Sequence, residues 1–216
     1  MFEFDTESGE IYLYDDIGPE WLGMIDAGAV RGALAEMGDK KRVTVRINSP
    51  GGAVDEGVAI YNMLARHPGG VDTVVDSLAA SMASYIFLAG RNRTVAKNSR
   101  VMMHNPWTIA IGNATEIRSV ADVLDKYSRS LVPDYAAATG RGEDEIQEAL
   151  EAETWFTADE SVAYGLAHRI EGTAVEAVAV KEGRFRNTPQ DLLTRPVAGQ
   201  RTPYPVQRER ARVLVR

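Results

Sequence analysis

Residues 42–52 read Arg42-Val43-Thr44-Val45-Arg46-Ile47-Asn48-Ser49-Pro50-Gly51-Gly52, and a helical stretch from Val54 to Ala65 follows. Arg42 to Ile47 alternate polar and apolar side chains, which predicts a strand with two unlike faces. Asn48-Ser49-Pro50-Gly51-Gly52 is a sharp break. Val54 to Ala65 has helical spacing and is closed by His67-Pro68-Gly69-Gly70. A strand that turns through glycines into a helix is one βα unit, and the pattern extends in both directions. Upstream, Gly9 to Tyr14 reads as a strand after a short hairpin. Asp26 to Met37 reads as a helix with Val30, Leu34 and Met37 on one face and Asp26 as its N-cap. Downstream come a short strand, Val71 to Val75, an apolar helix, Ala80 to Ala89, and a strand or pair of strands within Arg93 to Met103. Three helical stretches follow: Glu116 to Tyr135, Arg141 to Glu151 and Ala158 to Tyr164. Strands alternating with helices predict an α/β fold with a largely parallel sheet.

The totals set bounds on function. A chain of 216 residues with 44% hydrophobic residues suits one compact domain with an appendage. It contains no cysteine, which excludes disulfides, thiolate metal sites and a cysteine nucleophile. Met1-Phe2-Glu3-Phe4-Asp5 has neither the basic region nor the apolar run of a signal peptide. No stretch approaches the roughly 18 apolar residues of a membrane span. The expectation is a cytoplasmic protein without a membrane partner. The net charge of −7 is unevenly spread: residues 181–216 carry +6, and the remainder −13. So acidic a body argues against a nucleic acid partner. From Thr188 onward, Pro189, Pro196, Pro203 and Pro205 fall among Gly, Gln and Arg, which predicts an extended, flexible tail; Val206 to Arg216 has the composition of a short basic helix.

Three segments carry chemistry. Of the three histidines, His67 and His168 read as surface residues. His104 follows the apolar Val101-Met102-Met103, at the end of a predicted strand, where α/β folds build their sites. Ser81 lies in Ala79-Ala80-Ser81-Met82-Ala83-Ser84, small residues at the passage into a helix. Small neighbours let a peptide approach the hydroxyl, and a helix N-terminus directs unpaired N–H groups at a developing oxyanion. Alone, Ser81 reads equally well as an N-cap serine. Gly51 and Gly52 permit positive φ and leave an exposed backbone edge that an extended peptide could join. The Gly52 and Met82 amides are the candidate oxyanion hole.

Together and in order, Asn48-Ser49-Pro50-Gly51-Gly52, Ala80-Ser81-Met82 and Met103-His104-Asn105-Pro106 resemble the Clp protease proteolytic subunit. The resemblance runs from about Ile11 to Ile170 and includes Trp155-Phe156-Thr157-Ala158. It implies a crotonase-like fold of repeated β-β-α units, a domain over residues 1–175, and a protruding helical handle at about 105–151. A basic extension over 176–216 follows. It also implies Ser81 as nucleophile, His104 as general base, and Gly52 and Met82 as oxyanion-hole amides, with Gly51, Gly52 and Asn105 binding an extended protein or peptide. Such chemistry needs no metal and no other cofactor. The resemblance further implies a homo-oligomeric ring, with stacking through the handle. Apolar Ile117, Val120, Val123, Leu124 and Leu131 on one long helix agree with an oligomer.

Two features depart from the family pattern. Its catalytic acid precedes the aromatic of the late motif by two residues. Here that aromatic is Phe156 and the position holds Thr154, an uncharged residue able only to orient the ring, with Glu153 held in reserve. The aromatics on which an ATPase unfoldase docks correspond to Thr44 and Arg46, which argues against that partner. These departures and the basic tail resemble the Clp-related head maturation proteases of tailed phages and prophages, enzymes that process capsid and scaffold protein inside the prohead. Three alternatives remain open: a housekeeping ATP-dependent subunit, a non-catalytic ring-forming scaffold, and acyl-CoA chemistry on the same superfold.

Overall fold

The computed structural model describes residues 2–39, 41–173 and 180–193. The chain begins with a hairpin, β1 (Phe2–Asp5) and β2 (Glu10–Leu13), then α1 (Ala27–Met37), β3 (Val43–Ser49), α2 (Val54–Ala65), β4 (Val71–Ala80) and α3 (Met82–Phe87). It continues through β5 (Arg93–Lys97), β6 (Arg100–Met103), α4 (Ala114–Thr139), α5 (Glu143–Ala152), β7 (Thr154–Thr157), α6 (Ala158–Tyr164) and β8 (Arg169–Thr173). The main sheet has the order β1-β2-β3-β4-β5-β8, and every contact in it beyond the first hairpin is parallel. The predicted α/β class with a largely parallel sheet is the observed one.

Local chemistry accounts for the elements. Val43, Val45 and Ile47 of β3 are fully buried while Thr44 and Arg46 on the other face are half-buried, so the alternation seen in the sequence is a true two-faced strand. Asp26 caps α1, accepting the Ala29 amide at 2.7 Å. Asp55 and Glu56 occupy the first turn of α2, where the helix dipole favours negative charge, and Glu56 also accepts the Ala27 amide at 2.8 Å.

The strand expected over Val71 to Val75 is twice as long. Asp76 and Ser77 interrupt the apolar pattern, yet both are buried. The Arg46 guanidinium and the Tyr14 hydroxyl satisfy Asp76, at 2.8 and 2.6 Å, so its charge can sit inside the sheet. At this point β4 forks: Thr73–Val75 pair with β5, whereas Leu78–Ala80 pair with β6. β6 in turn pairs antiparallel with β7. The fork shortens the predicted Ala80–Ala89 helix to Met82–Phe87.

The segment expected as a handle forms the helices α4 and α5. Asn113 and Glu116 form a reciprocal cap at the start of α4. Only the later part of α4 reaches the core, through Leu131, Val132 and Tyr135. Ile117 and Val123 project outward, 46% and 48% exposed, and the preceding loop also exposes Trp107, Ile109 and Ile111. No helix among the described residues is long and apolar enough to cross a membrane.

Two expectations need correction. His67 is buried, not superficial: its Nε2 lies 2.9 Å from the Lys41 carbonyl, pinning the end of α2 to the β3 approach. Part of the C-terminal extension, expected to be flexible, is packed on the body. Residues 180–193 pack back onto it, with Val180, Phe185 and Leu192 buried against Leu78, Ala80 and Met102. The suggested helix at Val206 to Arg216 lies outside the described residues.

Candidate active site

β3, β4 and β6 are adjacent parallel strands, and each ends at one of the segments singled out in the sequence. Gly51-Gly52 follows β3, Ser81 follows β4 and His104 follows β6. Parallel strands expose their carboxyl ends at one edge, so the topology brings together residues that are far apart in the chain.

Ser81 occupies a tight turn between β4 and α3. Its φ of 55° and ψ of −128° lie in a region that side-chain-bearing residues seldom adopt. The turn is held by the Ser81 amide on the Met102 carbonyl, 2.9 Å, and by the Ser84 amide on the Ser81 carbonyl, 2.9 Å. A strained strand-to-helix elbow thrusts the hydroxyl out of the backbone. It meets His104 Nε2 at 2.8 Å from Ser81 Oγ.

The third member differs from expectation. Thr154 does not reach His104; its hydroxyl donates to the Ala149 carbonyl at 2.8 Å, and it lines a separate surface hollow with Arg141, Phe156 and Tyr164. The antiparallel register explains why. Met103 pairs with Thr154, so the next step of the ladder sets His104 opposite Glu153. Glu153 is buried, 4% exposed, and its Oε2 is 4.0 Å from His104 Nδ1. A left-handed backbone, φ 54°, turns it inward at the end of α5. The order of preference between Thr154 and Glu153 is therefore reversed by geometry.

Burial pushes the His104 imidazole down to about 4; the Glu153 carboxylate opposes this, and Arg184 and Arg186 reinforce it. The ring is accordingly neutral near pH 7, the form that can accept a proton from Ser81.

Gly51 and Gly52 are required by contact as well as by conformation. A Cβ on Gly51 would stand 2.4 Å from the Ala80 carbonyl and 2.7 Å from the Met82 amide, so the glycine turn presses directly on the Ser81 elbow. A Cβ on Gly52, whose φ is 156°, would stand 1.9 Å from the Ile17 carbonyl. Ile17 bridges to this turn through its amide on the Gly51 carbonyl, 3.0 Å, and through the Ala53 amide on its own carbonyl, 2.9 Å. Gly52→Ala is expected to destabilise the fold by roughly 2–5 kcal/mol, from backbone strain plus an unavoidable clash. Thermal unfolding reads this as a fall in midpoint, with loss of any Ser81 reactivity.

Asn105 is held by structure. Its side-chain oxygen accepts from Ser128 and its amide donates to the Leu150 carbonyl at 3.1 Å, so it anchors the His104 strand to α4 and α5. It still borders the larger of two hollows beside the site.

Arg184, Phe185, Arg186 and Asn187 belong to no motif that marks them as site residues. These close the site from the C-terminal extension. Phe185 stands edge-on to the His104 ring at 5.2 Å, and Glu153 accepts the Arg186 and Asn187 amides at 2.9 and 2.5 Å.

The chain matches the family model "Clp protease" over residues 29–174. It is 36% identical over 145 residues to the ATP-dependent Clp protease proteolytic subunit 3 of Rhodococcus jostii, covering 66% of this chain and 72% of that protein. It is 36% identical over 134 residues to subunit 1 of Protochlamydia amoebophila, covering 60% and 65%. Against subunit 1 of Leifsonia xyli subsp. xyli it is 33% identical over 144 residues, covering 66% and 73%. All three segments of the candidate site fall within the matched region, and the chain belongs to the Clp protease family of serine peptidases.

Proposed function

We propose that Ser81 and His104 cleave protein substrates through an acyl-enzyme, and that the task is processing of capsid or scaffold protein during phage head maturation. The 2.8 Å contact between Ser81 Oγ and His104 Nε2 carries the first part. As Oγ attacks the scissile carbonyl carbon, its proton passes to Nε2. The negative charge developing on the carbonyl oxygen falls to the Gly52 and Met82 amides, each such donor contributing about 3 kcal/mol in the best-studied hydrolase. The C–N bond breaks, the Nε2 proton goes to the leaving amine, and water activated by His104 releases the acyl group. Glu153 is the group placed to steady Nδ1–H during both steps.

The phage role draws support from the face of β3. Arg46, at a position where an unfoldase would meet an aromatic, is ion-paired to Asp76 and Glu10, and Tyr14 donates to the same Asp76 carboxylate. A polar cluster thus stands in place of that aromatic. The exposed apolar handle supports assembly of a homo-oligomeric ring. A cytoplasmic location, or one within the prohead, follows from this role.

A housekeeping subunit is the second reading, favoured by the relatives' names, which specify ATP dependence. Incubation with purified scaffold and capsid protein, with and without an unfoldase and ATP, separates the two. The phage reading expects discrete cleavage without ATP, absent in Ser81→Ala. Degradation only with ATP and an unfoldase would contradict it.

A further inference from the structure

The segment that covers Ser81 and His104 lies beyond residues 29–174, the part of the chain that the family model matches. It is a compact closed loop. The Val180 amide donates to the Leu192 carbonyl at 3.0 Å, and Val180 bridges to Leu193, joining the two ends. Three apolar side chains, Val180, Phe185 and Leu192, seat it on Leu78, Ala80, Met102 and Trp155. Polar anchors then fix its tip. Arg184 is ion-paired to Asp16 and donates to the Gly51 carbonyl at 3.1 Å. Arg186 and Asn187 give their amides to Glu153, and their side chains reach the Glu151 and Ala152 carbonyls at 2.8 and 3.0 Å.

We propose that residues 180–193 are an autoinhibitory strap, an internal ligand that fills the peptide-binding cleft at rest and must lift before substrate can enter. The proposal rests on the reading of Ser81 and His104 as the catalytic pair.

Three features carry it. The first is space. The hollow lined by Gly52, Ser81, Met82 and His104 measures about 170 Å³, below the roughly 300 Å³ at which ligand pockets begin. A second hollow of about 660 Å³ lies beside it, reaching Glu151, Glu153 and Arg186. Arg184 and Phe185 line both hollows, together with His104, Pro106 and Trp107. Lifting the strap residues widens the passage between the two past His104.

The second is competition for polar groups. Arg184 takes a carbonyl of the Gly51-Gly52 turn, the backbone that an extended substrate would line. The strap amides take the Glu153 carboxylate, which stands 4.0 Å from His104 Nδ1, beyond hydrogen-bond reach. Release frees that carboxylate to close on the ring.

The third is electrostatic. Acylation requires His104 to become an imidazolium. Burial, to which the edge-on Phe185 ring adds, and the charges of Arg184 and Arg186 all disfavour that ion. With the strap away, the two opposing charges leave and the favourable one, Glu153, stays. The cleft so opened presents Trp155, Met102 and Ala80 to an aromatic or aliphatic side chain, with Asp16 beside it for a basic neighbour, as the Arg184-Phe185 pair itself illustrates.

The test measures the rate at which a fluorophosphonate carrying a short peptide labels Ser81 in the full chain. Arg184→Ala/Phe185→Ala loosens the strap from within, and Asp16→Ala releases it from outside without altering it. Both are expected to label at least tenfold faster than the wild type, and a synthetic peptide of residues 181–193 is expected to slow the double variant again. Equal or slower labelling in both variants, with thermal midpoints within a few degrees of wild type, overturns the strap alone. Absence of labelling in all three proteins overturns the catalytic reading and the strap with it.

Discussion

Replacing Ser81 by alanine is expected to abolish hydrolysis of an unfolded protein such as casein, lowering the rate by about 10⁴- to 10⁶-fold. The hydroxyl is the nucleophile that His104 Nε2 touches, at 2.8 Å. Removing it leaves the oxyanion donors and the cleft with nothing to attack the carbonyl. Ser81 also sits in a strained turn, φ 55°, so alanine at the same position keeps the strain and loses only the hydroxyl. The fold should therefore persist, with a thermal midpoint close to wild type. His104→Ala is expected to match this loss, and the double variant to be no worse than either single one, because the two act as a unit. The assay is the release of acid-soluble fragments under strap-released conditions, in the Arg184→Ala/Phe185→Ala background. Independent, additive losses would show that the two residues do not share a step.

The second large effect separates Glu153 from Thr154. In the same background, Glu153→Gln is expected to lower hydrolysis by about 10²- to 10⁴-fold, the upper figure being that of the corresponding amide in a serine protease triad. Glutamine keeps the size and one acceptor oxygen but removes the charge that stabilises the imidazolium. Thr154→Val is expected to change the rate by less than about threefold, since its hydroxyl serves only the Ala149 carbonyl, worth about 1 kcal/mol of stability. The pH profile distinguishes positioning from mere structure: with the charge gone, the acid limb governed by His104 should shift to lower pH, because the carboxylate is what raises the ring's affinity for a proton. Thr154→Val should leave that limb in place. A larger loss in Thr154→Val than in Glu153→Gln would restore threonine as the orienting residue.

Much of this architecture is legible in the sequence because it rests on local signals. The alternation in β3, the cap at Asp26 and the reciprocal cap that Thr157 makes with Glu160 are short-range, and their elements fall close to where the pattern puts them. The Ser81 elbow and the His104 strand end are also local, and parallel topology does the rest. What is not legible depends on partners distant in the chain. The length of β4 rests on Arg46 and Tyr14 neutralising Asp76, residues 30 and 62 positions away. Whether Thr154 or Glu153 faces His104 depends on one step of antiparallel register between β6 and β7, to which residue type is blind. The strap is the extreme case: Phe185 reaches His104 from a proline-containing segment whose composition suggests only a tail.

The most direct measurement is the intact mass and site of modification of the full chain after reaction with the peptide fluorophosphonate. One adduct per chain is expected, mapped to Ser81, formed fastest in the strap-released variant and absent in both Ser81→Ala and His104→Ala. An adduct on another residue, or labelling of Ser81 that is unchanged when His104 is removed, would contradict it.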